Sequence, residues 1–152
     1  MQKNLLLVVL LALSWNLKAQ IDSQKRFQSD SRKYYVWNVE HSVYELQETE
    51  YEHSVIDIRE IGSKSNGYLV ISMTDNGLSR LQHGSITSFT QDNENEGTWL
   101  VRSKYMKGKL TYNPKKNTMT YLYDSNDKRY NRLIVFTVAP DSETDLASIK
   151  GQ

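Results

Sequence analysis

The sequence predicts an all-β domain, an antiparallel meander of about eight strands, with closure into a barrel preferred over a sandwich. Three observations carry this. Segments rich in Val, Ile, Thr and Tyr alternate apolar and polar side chains at the two-residue period of a strand. Asn-Gly steps at residues 66–67 and 76–77, together with Pro114, punctuate them as tight turns would. No stretch shows βαβ spacing or an internal repeat. A meander of this length must close or fold over, because long open edges invite aggregation.

The chain opens with the address of an exported protein. Lys3 provides a positive start, Leu5 to Leu13 an unbroken apolar run, and Ala19 a small residue at the end of Leu17-Lys18-Ala19. Together they read as a signal peptide, residues 1–19, cleaved after Ala19. The run is shorter than the roughly 20 residues needed to cross a bilayer. A secreted or periplasmic location follows as the expectation. No lipidated cysteine is available and no second apolar stretch follows, so no membrane anchor is expected.

Of the 19 Lys and Arg residues, Lys3 and Lys18 leave with the leader, so 17 basic residues remain against 18 acidic ones. A near-neutral chain gives no electrostatic case for nucleic acid, whose binding rests on neutralising several phosphates. The absence of cysteine removes any disulfide framework, so the fold must rest on its core. The remaining length suits one domain.

Residues 20–33 hold only Ile21 and Phe27 as large apolar groups and read as a flexible arm. The β domain is expected over 34–140. In its first strand one parity carries Tyr35, Trp37, Val39, His41 and Val43, which is the expected core face. Glutamates 45, 48, 50 and 52 mark a connection. The next strand, 55–61, is expected to fold back through 62–67 with Ile61 opposite Tyr68, which sets Ile58 against Ile71, Ile56 against Met73 and Asp57 against Ser72. Residues 75–85 fit a strand or one helical turn ended by Gly84. Strands follow in SITSFTQ and GTWLVRSKY, joined by a polar loop at 92–96. A type I turn at 114–117 pairs Asn113 with Thr118, Tyr112 with Met119, Thr111 with Thr120 and Leu110 with Tyr121. Leu133 to Val138 lacks polar alternation and is expected to be buried on both faces. Residues 141–152 form a short tail.

The chemistry of sites is sparse. His41, His53 and His83 match no metal spacing, and the run from Asp92 resembles a calcium loop until its twelfth position, which is Ser103 rather than an acid. No nucleophile signature is present, so no catalytic, metal or cofactor residue is assigned. Asp57, Glu60 and Glu45 could approach across strands as paired carboxylates, but any two of the 18 acids could do the same, so the pairing carries little signal. Gly97-Thr98-Trp99 resembles the G-x-W step of lipocalin-like barrels, although there it marks the first strand and here it falls late. The resemblance implies a calycin-like barrel and covers three residues. Trp37 and Trp99 are expected to fill the core or floor a cavity. Tyr112, Tyr121, Tyr123 and Tyr130 are expected as a stacking surface.

The leading functional expectation is a non-catalytic secreted β-domain binding a small apolar ligand, a glycan or a protein partner. An envelope inhibitor or immunity-type protein acting through acidic loops between Glu45 and Glu52 is the second, and a small hydrolase the third. An interior cavity of several hundred Å³ marks the first, a filled core with a projecting acidic segment the second, and a withdrawn acid beside another titratable group the third.

Overall fold

The structure, a computed structural model, describes residues 22–93, 96–104, 106–139 and 144–145. It contains β1 (Asp22–Asn38), β2 (Val43–Glu50), β3 (Ser54–Ile61), β4 (Ser63–Asp75), β5 (Leu78–Asn93), β6 (Glu96–Arg102), β7 (Lys107–Asn113), β8 (Thr118–Asp124), β9 (Arg132–Val138) and β10 (Thr144–Asp145), with a single 3-10 turn at Lys128–Tyr130. All pairings are antiparallel. β1, β3, β4, β5, β6, β7, β8 and β9 follow one another around a ring that the β9–β1 pairing closes. This is an eight-stranded calycin-like barrel with β2 as one extra strand.

The interior follows from strand alternation. Ile56 and Ile58 on β3, Leu69 and Ile71 on β4, Trp99 and Val101 on β6, Leu110 on β7, Met119 and Tyr121 on β8, and Ile134 and Phe136 on β9 all turn inward and are buried. The β7–β8 hairpin has the register expected from its turn: Asn113 meets Thr118, Leu110 meets Tyr121 and Thr111 meets Thr120.

Five sequence expectations need correction. Residues 22–33 are no arm; they are the first part of β1, the strand that closes the barrel. β1 pairs β3 from Asp22 to Ser29 and β9 from Ser29 to Val36. A bulge between Ser29 and Ser31 switches the inward parity, so Phe27 and Ser29 are followed inside by Arg32 and Tyr34. The expected core face of Tyr35, Trp37, Val39, His41 and Val43 is therefore on the wrong parity, and β1 turns at residues 39–42, where Val39 is 56% exposed and Ser42 takes a φ of 54°.

The β3–β4 register is displaced by two residues: Ile58 faces Leu69, Ile56 faces Ile71 and Asp57 faces Val70. The chain reverses at Gly62, and residues 64–66 form an irregularity that returns to the ladder at Gly67. A Cβ at Gly67 would sit 1.8 Å from the Arg59 carbonyl oxygen, so only glycine fits there. A two-residue slip keeps every side chain on its face, and the separation of dry from wet survives.

The acidic stretch read as a connection is strand β2. Residues 78–93 form one continuous β5, entered by Asn76 and Gly77 at φ 50° and 76°, the left-handed pair of a tight hairpin. β9 alternates after all: Ile134, Phe136 and Val138 are buried while Thr137 is exposed. Within the tail, Thr144–Asp145 pairs with Arg26 and Lys25. The leader at 1–19 and most of 140–152 lie outside the described residues.

Tyr121 gives the core a pH signature. Its ring is 2% exposed and its hydroxyl lies 3.8 Å from Met106 Sδ, so burial, with a smaller contribution from Tyr123, pushes its pKa up to about 12. A tyrosine in the unfolded chain ionises near pH 10. The folded state therefore holds this proton where the unfolded chain loses it. The stabilisation is complete below about pH 10 and is lost as the pH rises toward 12, by about 2–3 kcal/mol in total. Urea unfolding followed from pH 8 to 12 is expected to show this decline, and Tyr121→Phe to flatten it.

Candidate functional site

At the end of the barrel where β4 turns into β5, a charged side chain occupies the core. Arg32 is completely buried. An isolated buried cation is prohibitively expensive, so its donors must all be engaged. Nε donates to Tyr34 Oη at 2.9 Å and Nη1 to Ser54 Oγ at 2.9 Å. Nη1 also approaches the Glu52 and His53 carbonyls at 3.4 and 3.5 Å, and Nη2 donates to the Thr74 carbonyl. The charge is balanced by the Glu50 carboxylate in direct contact, with Glu52 farther off at 3.7 Å. Burial raises the Tyr34 pKa, against the opposing pull of Arg32.

Glu52 extends the lacing by accepting the Asn76 backbone N–H on both oxygens at 3.1 Å. Arg32 and Glu52 thus fasten β1, the β2–β3 junction and the β4–β5 turn to one another. Above them lies an open cleft of about 470 Å³, walled by Tyr34, Glu48, Glu50, Tyr51, Asp75 and Arg80. Arg80 is paired with Asp75.

The far wall of this cleft is a flap made by the upper part of β1 and by β2. Register places Glu50 beside Arg32, Glu48 beside Tyr34 and Glu45 beside Val36, so three carboxylates share the face on which Arg32 and Tyr34 lie. Among the described residues β2 pairs with β1 alone, and its second edge carries no strand. Val43, Leu46 and Tyr51 are 48%, 52% and 82% exposed. The flap tip is ordered by Asn38, whose side chain donates to Glu45 at 2.8 Å and accepts the Glu40 and His41 backbone N–H groups. The Asn38 hydrogen bond, aided by His41, holds the Glu45 carboxyl below its usual range.

The opposite end is also filled. Glu60, 5% exposed, accepts from Trp99 Nε1 at 3.2 Å and Ser23 Oγ at 2.8 Å. The sequence-derived aromatic set is not one surface. Trp99 and Tyr121 are core residues, Tyr112 packs on Phe27 at 4.9 Å between ring centres, and Tyr123 rests against the same core. Trp37 sits on the flap edge-on to Tyr44 at 5.0 Å, on the opposite face from Arg32, and Tyr130 stands on the 3-10 turn, 58% exposed. Asp57, Glu60 and Glu45 do not meet: Asp57 binds Arg26 in two hydrogen bonds outside the barrel, Glu60 is inside and Glu45 is on the flap tip. The three histidines are equally separate, with His41 beside Glu45, His53 beside Asp30 and His83 on β5.

Arg32 is the residue that sequence reasoning missed. A basic residue in a polar stretch looks like solvent-facing chain, and the single available signal was Phe27 five residues before it.

Compared with protein-family models, with curated proteins and with solved structures, the chain matches none. The functional reading therefore rests on the geometry.

Proposed function

We propose that the protein is a non-catalytic binding domain that takes a protein partner at the β1–β2 flap, in the manner of an inhibitor or immunity-type protein. The supporting observation is the contrast between interior and flap. Both ends of the barrel are occupied by the protein's own hydrogen-bonded groups, Arg32 at one and Glu60 with Trp99 at the other. The flap projects with an edge that pairs with no strand among the described residues, three glutamates on one face and exposed Leu46 on the other. An open strand edge offers main-chain hydrogen bonds to an incoming segment, and carboxylates beside it favour a basic one. On the leader expected at residues 1–19, the partner of this proposal is an envelope or extracellular protein.

The test is an NMR titration of the domain from residue 20 with two probes: an extended peptide alternating Lys and Val, and a long-chain fatty acid. The proposal expects the peptide to shift β2 amides between Val43 and Glu50, with affinity that falls as salt rises and weakens in Glu45→Lys/Glu48→Lys. Saturable shifts of Tyr121 and Phe136 by the fatty acid, with β2 silent toward the peptide, would overturn it in favour of an interior ligand site.

A further inference from the structure

On the outside of the barrel, well away from the flap, a groove of about 570 Å³ runs over β4, β5 and β6. The register builds it. Tyr68 on β4 lies opposite Ser85 on β5, and Ser85 lies opposite Arg102 on β6, so a tall aromatic wall and a tall cationic wall flank a short hydroxyl. Two strand spacings of about 4.8 Å set those walls about 10 Å apart at the backbone, room for one sugar ring. Gly84 contributes only backbone to the floor, since its side-chain direction is that of its partner Leu69, into the barrel, where a Cβ would lie 2.5 Å from the buried Val101 Cγ1. β6 stops at Arg102, so His83, the next residue on the same face of β5, stands beyond the last β5–β6 pair and lines the groove with Lys104.

The charge is one-sided. Arg102 and Lys104 line the groove, with His83 as a polar neighbour, and among the described lining residues there is no acid. Among the described residues the Arg102 and His83 side chains make no hydrogen bond or ion pair. By contrast Arg59, behind Tyr68, is already engaged with the Tyr68 hydroxyl at 3.4 Å and with Asp22 at 3.5 Å. Beyond Arg102 the same row continues through Lys107 to Asp124, which ends the positive stretch. The basic area is therefore short and suits one anionic group, not the succession of phosphates on a nucleic-acid backbone.

We infer that this groove is a binding site for an acidic sugar unit, a hexuronate or a sulfated hexose within a polysaccharide. The planar Arg102 fork takes the carboxylate or sulfate in paired hydrogen bonds, Tyr68 offers its ring and hydroxyl to the sugar body, and Ser85 and His83 serve the ring hydroxyls. This site is independent of the flap and stands or falls separately.

The test titrates the domain from residue 20 with trigalacturonate, a sulfated trisaccharide, a neutral trisaccharide, inorganic phosphate and a short single-stranded RNA, read by amide and side-chain NMR shifts. Saturable shifts at Tyr68, His83, Ser85 and Arg102 are expected with an acidic saccharide and not with the neutral one. Arg102→Ala is expected to weaken binding about ten-fold or more, as loss of a charged hydrogen-bonding partner does, with an unchanged melting temperature because the side chain holds nothing in the fold. Ser85→Leu is expected to abolish binding by filling the notch while leaving Arg102 in place. The inference fails if neither acidic saccharide saturates, if phosphate or RNA binds as well as they do, or if Arg102→Ala and Ser85→Leu bind like the wild type.

Discussion

Replacing Arg32 with Met is expected to destabilise the domain by about 3–5 kcal/mol, the cost of breaking a buried ion pair by removing one partner. The guanidinium serves Tyr34, Ser54 and the Thr74 carbonyl and balances Glu50, whose side chain is 17% exposed. Met fills much of the volume but donates nothing. Those acceptors would lose their partner, and Glu50 would be left as an unbalanced carboxylate at the barrel's end. Urea unfolding gives the loss directly. Arg32→Met/Glu50→Leu is expected to recover part of it, because the stranded charge goes with its partner. If the single variant unfolds within 1 kcal/mol of the wild type, a threshold well under the cost of a broken buried pair, Arg32 does not sit where the structure has it.

Phe27→Ala is expected to cost about 3–5 kcal/mol, the usual price of deleting a fully buried aromatic ring. The ring is 1% exposed, lies opposite Ile56 in the β1–β3 ladder and packs against Tyr112 across the barrel. A flexible arm would lose nothing on this substitution. Guanidinium unfolding should show a lower midpoint with an unchanged slope, since the same surface is exposed in both proteins.

These two positions show where the sequence was legible and where it was not. The β7–β8 hairpin could be read to the residue because Pro114 fixes the turn and Leu110, Tyr112, Met119 and Tyr121 alternate cleanly across it. The β3–β4 hairpin kept its faces but not its register, because Gly67 marks a bulge rather than the turn itself. β1 was hidden by its own exceptions. A bulge at Ser29–Ser31 breaks the two-residue period, and an interior arginine stands where the pattern calls for an apolar residue. β2 gave no strand signal for a different reason: it adds to the edge of β1 outside the ring and needs no buried face, so its glutamates read as loop. The candidate cleft depends on both of these strands, which is why aromatic residues, legible by type, were chosen in place of Arg32 and Glu50. Tyr112, Tyr121 and Tyr123 are abundant because a narrow barrel needs wide fillers, and composition cannot distinguish a filler from a stacking platform.

Native-state hydrogen exchange along β1 tests the barrel itself. The ring is closed by the pairing of Arg32 through Val36 with Arg132 through Phe136. Amides of β1 and β9 in that ladder are expected to exchange as slowly as those of the β7–β8 hairpin, through global unfolding alone. Exchange in β1 that is faster by several orders of magnitude, with β7 and β8 still protected, would mean an open sheet with a loose first strand and would contradict the closed barrel.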